Sequence, residues 1–388
     1  MKLFKCNNCG QPVYFENYIC LKCNAPLGFD PEQMDLLALE HKQEAVHQNQ
    51  EAGFQHQDQV EGKWQAEEQN AQEEMAYAIL GLEEQEEKKL YKYCSNRNYN
   101  VCNWLLPYDS EKEFCVACNL NHTIPNLSTA DHLEKWSRIE IAKHRLVYSL
   151  LRFKLPIISK FEDNDKGIAF DFMADDPTGA NQLLTGHDHG NITLNIAEAD
   201  DVIREMARNQ MEEVYRTLLG HFRHEIGHYY WERLIESTDK LQSFRQLFGD
   251  ETADYGEALK AHYAKPHSNE WQNNFISAYA SSHPWEDWAE TWAHYLHIID
   301  TMETAYSFGL KVKPKMSEPD NDLSATINID PYAAKNFAAI MERWLPLSFV
   351  MNSLNRSMGM KDSYPFVITE AVKEKLAFIH ETIQSLGV

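Results

Sequence analysis

The sequence predicts an α+β protein, mostly helical, with small N-terminal modules that need more than apolar burial to fold. Three observations lead there. Eight cysteines fall into two groups of four, ending at Cys118. KGIAFDF at 166–172 and GNITLNI at 190–196 alternate apolar and polar residues as strands do. From residue 201 onward nearly every apolar residue recurs at helical spacing.

The chain has 388 residues, room for several folding units. With 43% hydrophobic and 12% aromatic residues it is globular, and its formal charge of -23 repels nucleic acid and anionic membrane. Neither is expected as a partner, and oligomeric state leaves no mark in the sequence. MKLFKCNNCG lacks the apolar segment of an export signal, and no apolar run reaches the roughly 18 residues of a membrane span. A cytoplasmic protein is expected, and in that reducing compartment grouped cysteines favour metal over disulfides.

Residues 1–30 carry Cys6, Cys9, Cys20 and Cys23 as two C-x-x-C knuckles, the pattern of a zinc ribbon in which four thiolates enclose a structural Zn²⁺. Residues 31–90 are rich in Gln and Glu and read as an acidic linker or helical insert. Residues 91–127 hold Cys94, Cys102, Cys115 and Cys118, a less regular set that still suits a second structural zinc. A four-thiolate site has no open position for a substrate, so neither cluster is the reactive centre.

Residues 128–310 are expected to form the catalytic domain. S128-T-A-D131 has the spacing of a helix start, and Trp136, Ile139, Leu146 and Leu150 share a face of the helix that follows. A longer helix, MEEVYRTLLGHFRHEIGHYYWERLI at 211–235, holds H-E-x-x-H in its middle, with Val214, Leu218, Ile226 and Tyr230 offering buried contacts. The i, i+4 spacing puts His224 and His228 on one face with Glu225 beside them. Two imidazoles to bind zinc and a carboxylate to take a proton from water are what amide hydrolysis requires. A third histidine six residues on is ruled out, because Trp231 and Leu234 stand where that pattern needs Gly and His.

A glutamate from a second helix is the other way to complete the set. HPWEDWAETWAHYLH at 283–297 offers Glu286 and Glu290 at i, i+4, so that one can bind metal while the other hydrogen-bonds a histidine ligand. The stretch YASSHPWEDWAE resembles the pattern of lethal-factor-type zincins, a gluzincin arrangement. That resemblance implies Glu286 as the metal ligand, Glu290 behind it, and Tyr279 as a donor to the oxyanion. Together with the two cysteine clusters, CNWLLP at 102–107, TGHDHGNITLN at 185–195 and HFRHEIGHYYW, the helix resembles a bacterial family called putative zinc-binding metallopeptidase with an N-terminal zinc ribbon. The resemblance implies a zincin-like core, one catalytic and two structural zinc ions, and a peptide or protein substrate. It covers nearly the whole chain outside the Gln/Glu-rich stretch.

Other side chains have plainer readings. Trp285, Trp288 and Trp292 read as core; His221 could replace a ligand but is expected elsewhere; His294 and His297 suit outer or solvated positions. GNITLNI is expected as the edge strand of the cleft, which would place His187, Asp188 and His189 beside it. Residues 311–388 read as a helical C-terminal subdomain after a loop over 304–322. The competing functional class is a zinc-stabilised adaptor without activity, for which Glu225 would have no use.

Overall fold

A computed structural model describes residues 2–42, 75–81, 89–175, 183, 185–210, 217–264, 269–315 and 323–386. The chain divides into two compact units. One comprises 4–98 and 102–115; the other takes Tyr99–Val101 and everything from Val116.

In the first unit, β1 (Phe4–Lys5) and β2 (Pro12–Val13) make a short hairpin whose connection carries Cys6 and Cys9. β3 (Leu27–Asp30), β4 (Asp35–Lys42), β5 (Ala76–Ile79), β6 (Leu90–Tyr93) and β7 (Leu105–Pro107) follow as one antiparallel sheet in that spatial order. Phe15 meets Phe29 edge-on and Phe29 meets Trp104 at a tilt, with ring centroids 4.8 and 4.7 Å apart. This differs from the expected division into a ribbon, a linker and a second module. DLLALEHK, inside the stretch expected as linker, forms β4 and buries Leu36, Leu37, Ala38 and Leu39. β4 pairs with β5, and β5 with β6, so the strands of both cysteine-bearing stretches belong to one sheet. The Gln/Glu-rich residues 43–74 lie outside the described residues.

In the second unit, β8 (Asn121–Thr123) leads into α1 (His132–Arg152). Asp131, in the left-handed region at φ 64°, precedes the helix, so it begins three residues later than Ser128 would have set it. Trp136, Ile139, Leu146 and Leu150 are all buried, as their shared face requires. β9 (Ala169–Met173), β10 (Gly186–Asp188) and β11 (Asn191–Asn195) join β8 in a sheet ordered β10-β11-β9-β8. β8, β9 and β11 run parallel, while β10 turns back antiparallel on β11. The expected edge strand GNITLNI is therefore internal, and β10 and β8 are the edges among the described residues. At that turn the carbonyl of Gly190 (φ 82°) accepts a hydrogen bond from Ala169, and a Cβ on Gly190 would lie 2.3 Å from the Gly167 carbonyl oxygen.

α2 (Asp201–Gln210) precedes α3 (Leu218–Leu234), α4 (Leu241–Phe248), α5 (Tyr255–Ala264) and α6 (Pro284–Ser307). α3 starts at Leu218, where the Thr217 hydroxyl caps it by accepting from the Gly220 amide at 3.0 Å; residues 211–216 of the expected helix lie outside the described residues. Leu218, Ile226 and Tyr230 are buried as expected; Val214 lies outside the described residues. α6 is capped by His283 and opens on Pro284, whose fixed φ suits the first turn. It runs to Ser307, so residues 304–307 extend the helix and the expected loop starts later.

α3 and α6 pack against one another at Gly227. A Cβ there would sit 3.1 Å from the Ala289 Cα and 3.2 Å from the Trp292 Cβ, and the Trp288 indole donates to the Gly227 carbonyl at 2.9 Å. β12 (Lys311–Val312), β13 (Ala325–Thr326), α7 (Phe337–Ser357) and α8 (Glu370–Gln384) complete the unit. α8 is fixed beneath α6 by Lys375, whose ammonium lies 2.6 Å from Asp287 with both side chains buried. No helix among the described residues is long and apolar enough to cross a membrane.

Candidate metal centre

The helical period brings His224 and His228 together on one side of α3, with their Nε2 atoms 3.2 Å apart. α6 faces them. Glu286, in its first turn, sets Oε2 2.9 Å from His224 Nε2 and 3.5 Å from His228 Nε2. Ligand atoms of these three buried residues all lie within 4.8 Å of one another. One helical turn on, Glu290 Oε1 meets His224 Nδ1 at 2.8 Å, and its Oε2 accepts from the Ser277 hydroxyl at 2.6 Å.

This arrangement asks for a cation. If His224 donates its Nδ1 proton to Glu290, its Nε2 lone pair points at a Glu286 oxygen that is buried without a hydrogen-bond donor. Burial opposes protonation of His224, yet Glu286 and Glu290 outweigh it and raise its pKa well above the ordinary imidazole range. Glu286 is likewise buried, but the two histidines hold its carboxyl well below the usual value. Although burial works against it, the hydrogen bond from His224 draws Glu290 down to about 2. Two nitrogens and one carboxylate oxygen, steadied by a carboxylate behind a histidine, fit zinc.

Glu225 is also buried, next to His224 on α3. The ring of Tyr279 lies 5.9 Å from that of His224, and burial together with the charge of Glu286 raises the phenol pKa, keeping it a donor. Trp288 and Trp292 are core, Trp292 stacked on Tyr230 and Trp288 edge-on to Phe244 and Phe248. Trp285 departs from the core expectation: it is half-buried and lies over His228 at 4.2 Å. His221 is outside the cluster, with Nδ1 2.5 Å from Glu198. His294 is buried and His297 half-buried; their Nδ1 atoms meet the Tyr364 hydroxyl at 3.0 Å and Arg223 at 2.5 Å. His187, on β10, stands 6.0 Å from the His228 ring, and burial lowers its pKa to about 3; Asp188 and His189 are exposed.

Tyr255 and Ser277 escaped the sequence reading. The Tyr255 hydroxyl donates to Glu286 Oε1 at 2.6 Å. Ser277 stands two residues before Tyr279, but nothing in its neighbours marks it as a partner of Glu290.

The cysteines are all free thiols. Cys6 and Cys23 Sγ are 3.7 Å apart, and Cys9 and Cys20 are 3.6 Å apart, far beyond a disulfide and close enough to share an ion. Of the second set, Cys102 and Cys115 Sγ lie 3.8 Å apart within the first unit, while Cys118 belongs to the second. The amides of Cys115 and Trp104 point at the sulfurs of Cys94 and Cys102, each at 3.4 Å.

An H-E-x-x-H helix facing a glutamate helix, in a chain that also gathers two four-cysteine clusters, defines a zinc-binding protein of metallopeptidase type. The chain belongs to the family described as "Putative zinc-binding metallo-peptidase", whose model matches residues 132–382. A zinc-ribbon domain model matches residues 3–77 and 63–129. The chain is 40% identical to an uncharacterized protein of Mycobacterium bovis over 388 residues, 100% of this chain and 96% of the relative. Uncharacterized proteins from two strains of Mycobacterium tuberculosis are similar to the same extent, 40% over 100% of this chain and 96% of theirs. No solved structure matches.

Proposed function

We propose that the protein is a zinc-dependent metallopeptidase of gluzincin type, cleaving peptide bonds in a peptide or protein, with one catalytic and two structural zinc sites. The convergence of His224, His228 and Glu286, with His224 backed by Glu290, carries this reading. A zinc ion held by these three residues supplies a positive charge that polarises a carbonyl and makes water acidic. Glu225 accepts the proton of the attacking water and returns it to the departing amine. Tyr279 donates a hydrogen bond to the carbonyl oxygen as it becomes negative. Glu290 keeps the His224 ring turned so that Nε2 faces Glu286. The cysteine sets, Cys6, Cys9, Cys20, Cys23 and Cys94, Cys102, Cys115, Cys118, hold the structural ions.

Metal content tests the proposal. The expected result is about three zinc ions per chain, falling to about two when His224 and His228 are both replaced by alanine while the four-thiolate sites stay filled. A wild-type chain with two ions, both in cysteine clusters, would leave the histidines without a metal role and favour the adaptor class.

A further inference from the structure

We infer that Tyr255 is a positioning residue for the metal-binding carboxylate, its hydroxyl deciding which oxygen of Glu286 faces the histidines. This rests on the reading of His224, His228 and Glu286 as metal ligands. Glu286 presents two chemically equal oxygens, and only a neighbour can make them unequal. Oε1 accepts from the Tyr255 hydroxyl at 2.6 Å, and Oε2 is left turned toward His224 Nε2 and His228 Nε2. With Oε1 occupied, the carboxylate offers a single oxygen to the metal. That leaves one more position open than a carboxylate engaging through both oxygens would, and an open position is what separates a catalytic from a structural zinc site.

Tyr255 is aimed by its surroundings. His283, the cap of α6, accepts from the Trp285 amide through Nδ1 and so donates from Nε2 to the Ala253 carbonyl at 3.1 Å, tying the segment before α5 to the helix that carries Glu286. The Tyr255 ring stands against His283 at 5.3 Å and Trp285 at 6.2 Å. Asp254 caps the first turn of α5 by accepting from the Glu257 amide at 2.9 Å. The helix itself buries no side chain, and Tyr255 is 39% exposed, so it is not a core residue whose hydroxyl merely found an acceptor. Removing the Tyr255 hydroxyl frees Glu286 Oε1.

The test is Tyr255→Phe, which keeps the ring against His283 and removes only a partly exposed hydroxyl. Full-length protein with its cysteine sites filled with zinc is titrated with Co²⁺, reading affinity by chelator competition and coordination by the visible absorption of the bound ion. Tyr255→Phe is expected to bind Co²⁺ about 10 to 100-fold more weakly, the usual effect of losing a partner of a metal ligand. Its spectrum should also shift toward higher coordination, as a second carboxylate oxygen engages. Lys260→Ala, on the solvent side of α5, should match wild type in both readouts. If wild type binds Co²⁺ and Glu286→Ala does not, while Tyr255→Phe keeps wild-type affinity and spectrum, the inference is overturned and the metal centre stands. If wild type binds no Co²⁺ beyond the cysteine sites, both fall.

Discussion

Glu290 Oε1 lies 2.8 Å from His224 Nδ1, while Glu286, one helical turn earlier, faces Nε2 of the same ring at 2.9 Å. Two glutamates of similar sequence context thus grip opposite sides of one imidazole. On the proposed reading their duties differ, and substitutions should separate them.

Glu286→Ala removes one of three donors and should leave the site without zinc at micromolar free metal. Glu290→Ala removes only the group that orients His224 and should weaken binding by about 10 to 100-fold. Equilibrium dialysis of the two variants checks this. Equal loss in both would mean that Glu290 binds metal directly.

Glu225→Gln should keep its zinc and lose at least about 100-fold in turnover, the lower range expected when a general base is removed. Metal analysis beside single-turnover cleavage of any peptide the wild type cuts separates the two effects. Near-normal cleavage would assign the base elsewhere.

Acid should destabilise the fold in a definite window. Burial lowers His294 to about 4 and His187 to about 3 from an ordinary 6.5, so the unfolded chain binds more protons between those values. Their contribution is present above pH 6.5 and is lost as pH falls through about 4. The thermal midpoint should drop over that interval, and less steeply in His294→Gln. An unchanged slope in that variant would remove His294 as a source.

Gly227→Ala places a methyl 3.1 Å from the Ala289 Cα. Although alanine favours helix, α3 and α6 must part, so a net loss of about 1–3 kcal/mol is expected from overpacking. The same movement carries the histidines away from Glu286, so zinc affinity should fall with the thermal midpoint. A stabilised variant would show that the helices have room to spare.

The parts of this site that sequence revealed are those whose geometry is set within one helix. His224, Glu225 and His228 are placed by a 3.6-residue period, as are Glu286 and Glu290. Which of the two glutamates binds the metal came from a resemblance rather than from spacing. Tyr255 and Ser277 were invisible because they reach Glu286 and Glu290 from 31 and 13 residues earlier, distances over which no local rule acts. β4 was missed for another reason. Its run DLLALE is short and apolar, and the polar residues that follow it mask a strand that pairs with β3 just before it and with β5 beyond position 75.

Lys375 meets Asp287 across 88 residues of chain, and Asp287 is the immediate neighbour of Glu286. Burial pushes the Asp287 carboxyl up to about 7 despite that ammonium, so it is poorly suited to being enclosed alone. A chain that packs α3 on α6 before α8 arrives leaves Asp287 without its counter-charge, to be protonated or left open to water. Lys375 thereby ties the last long helix to the residue beside Glu286, and a chain that lacks α8 carries the whole H-E-x-x-H motif with no cation beside Asp287.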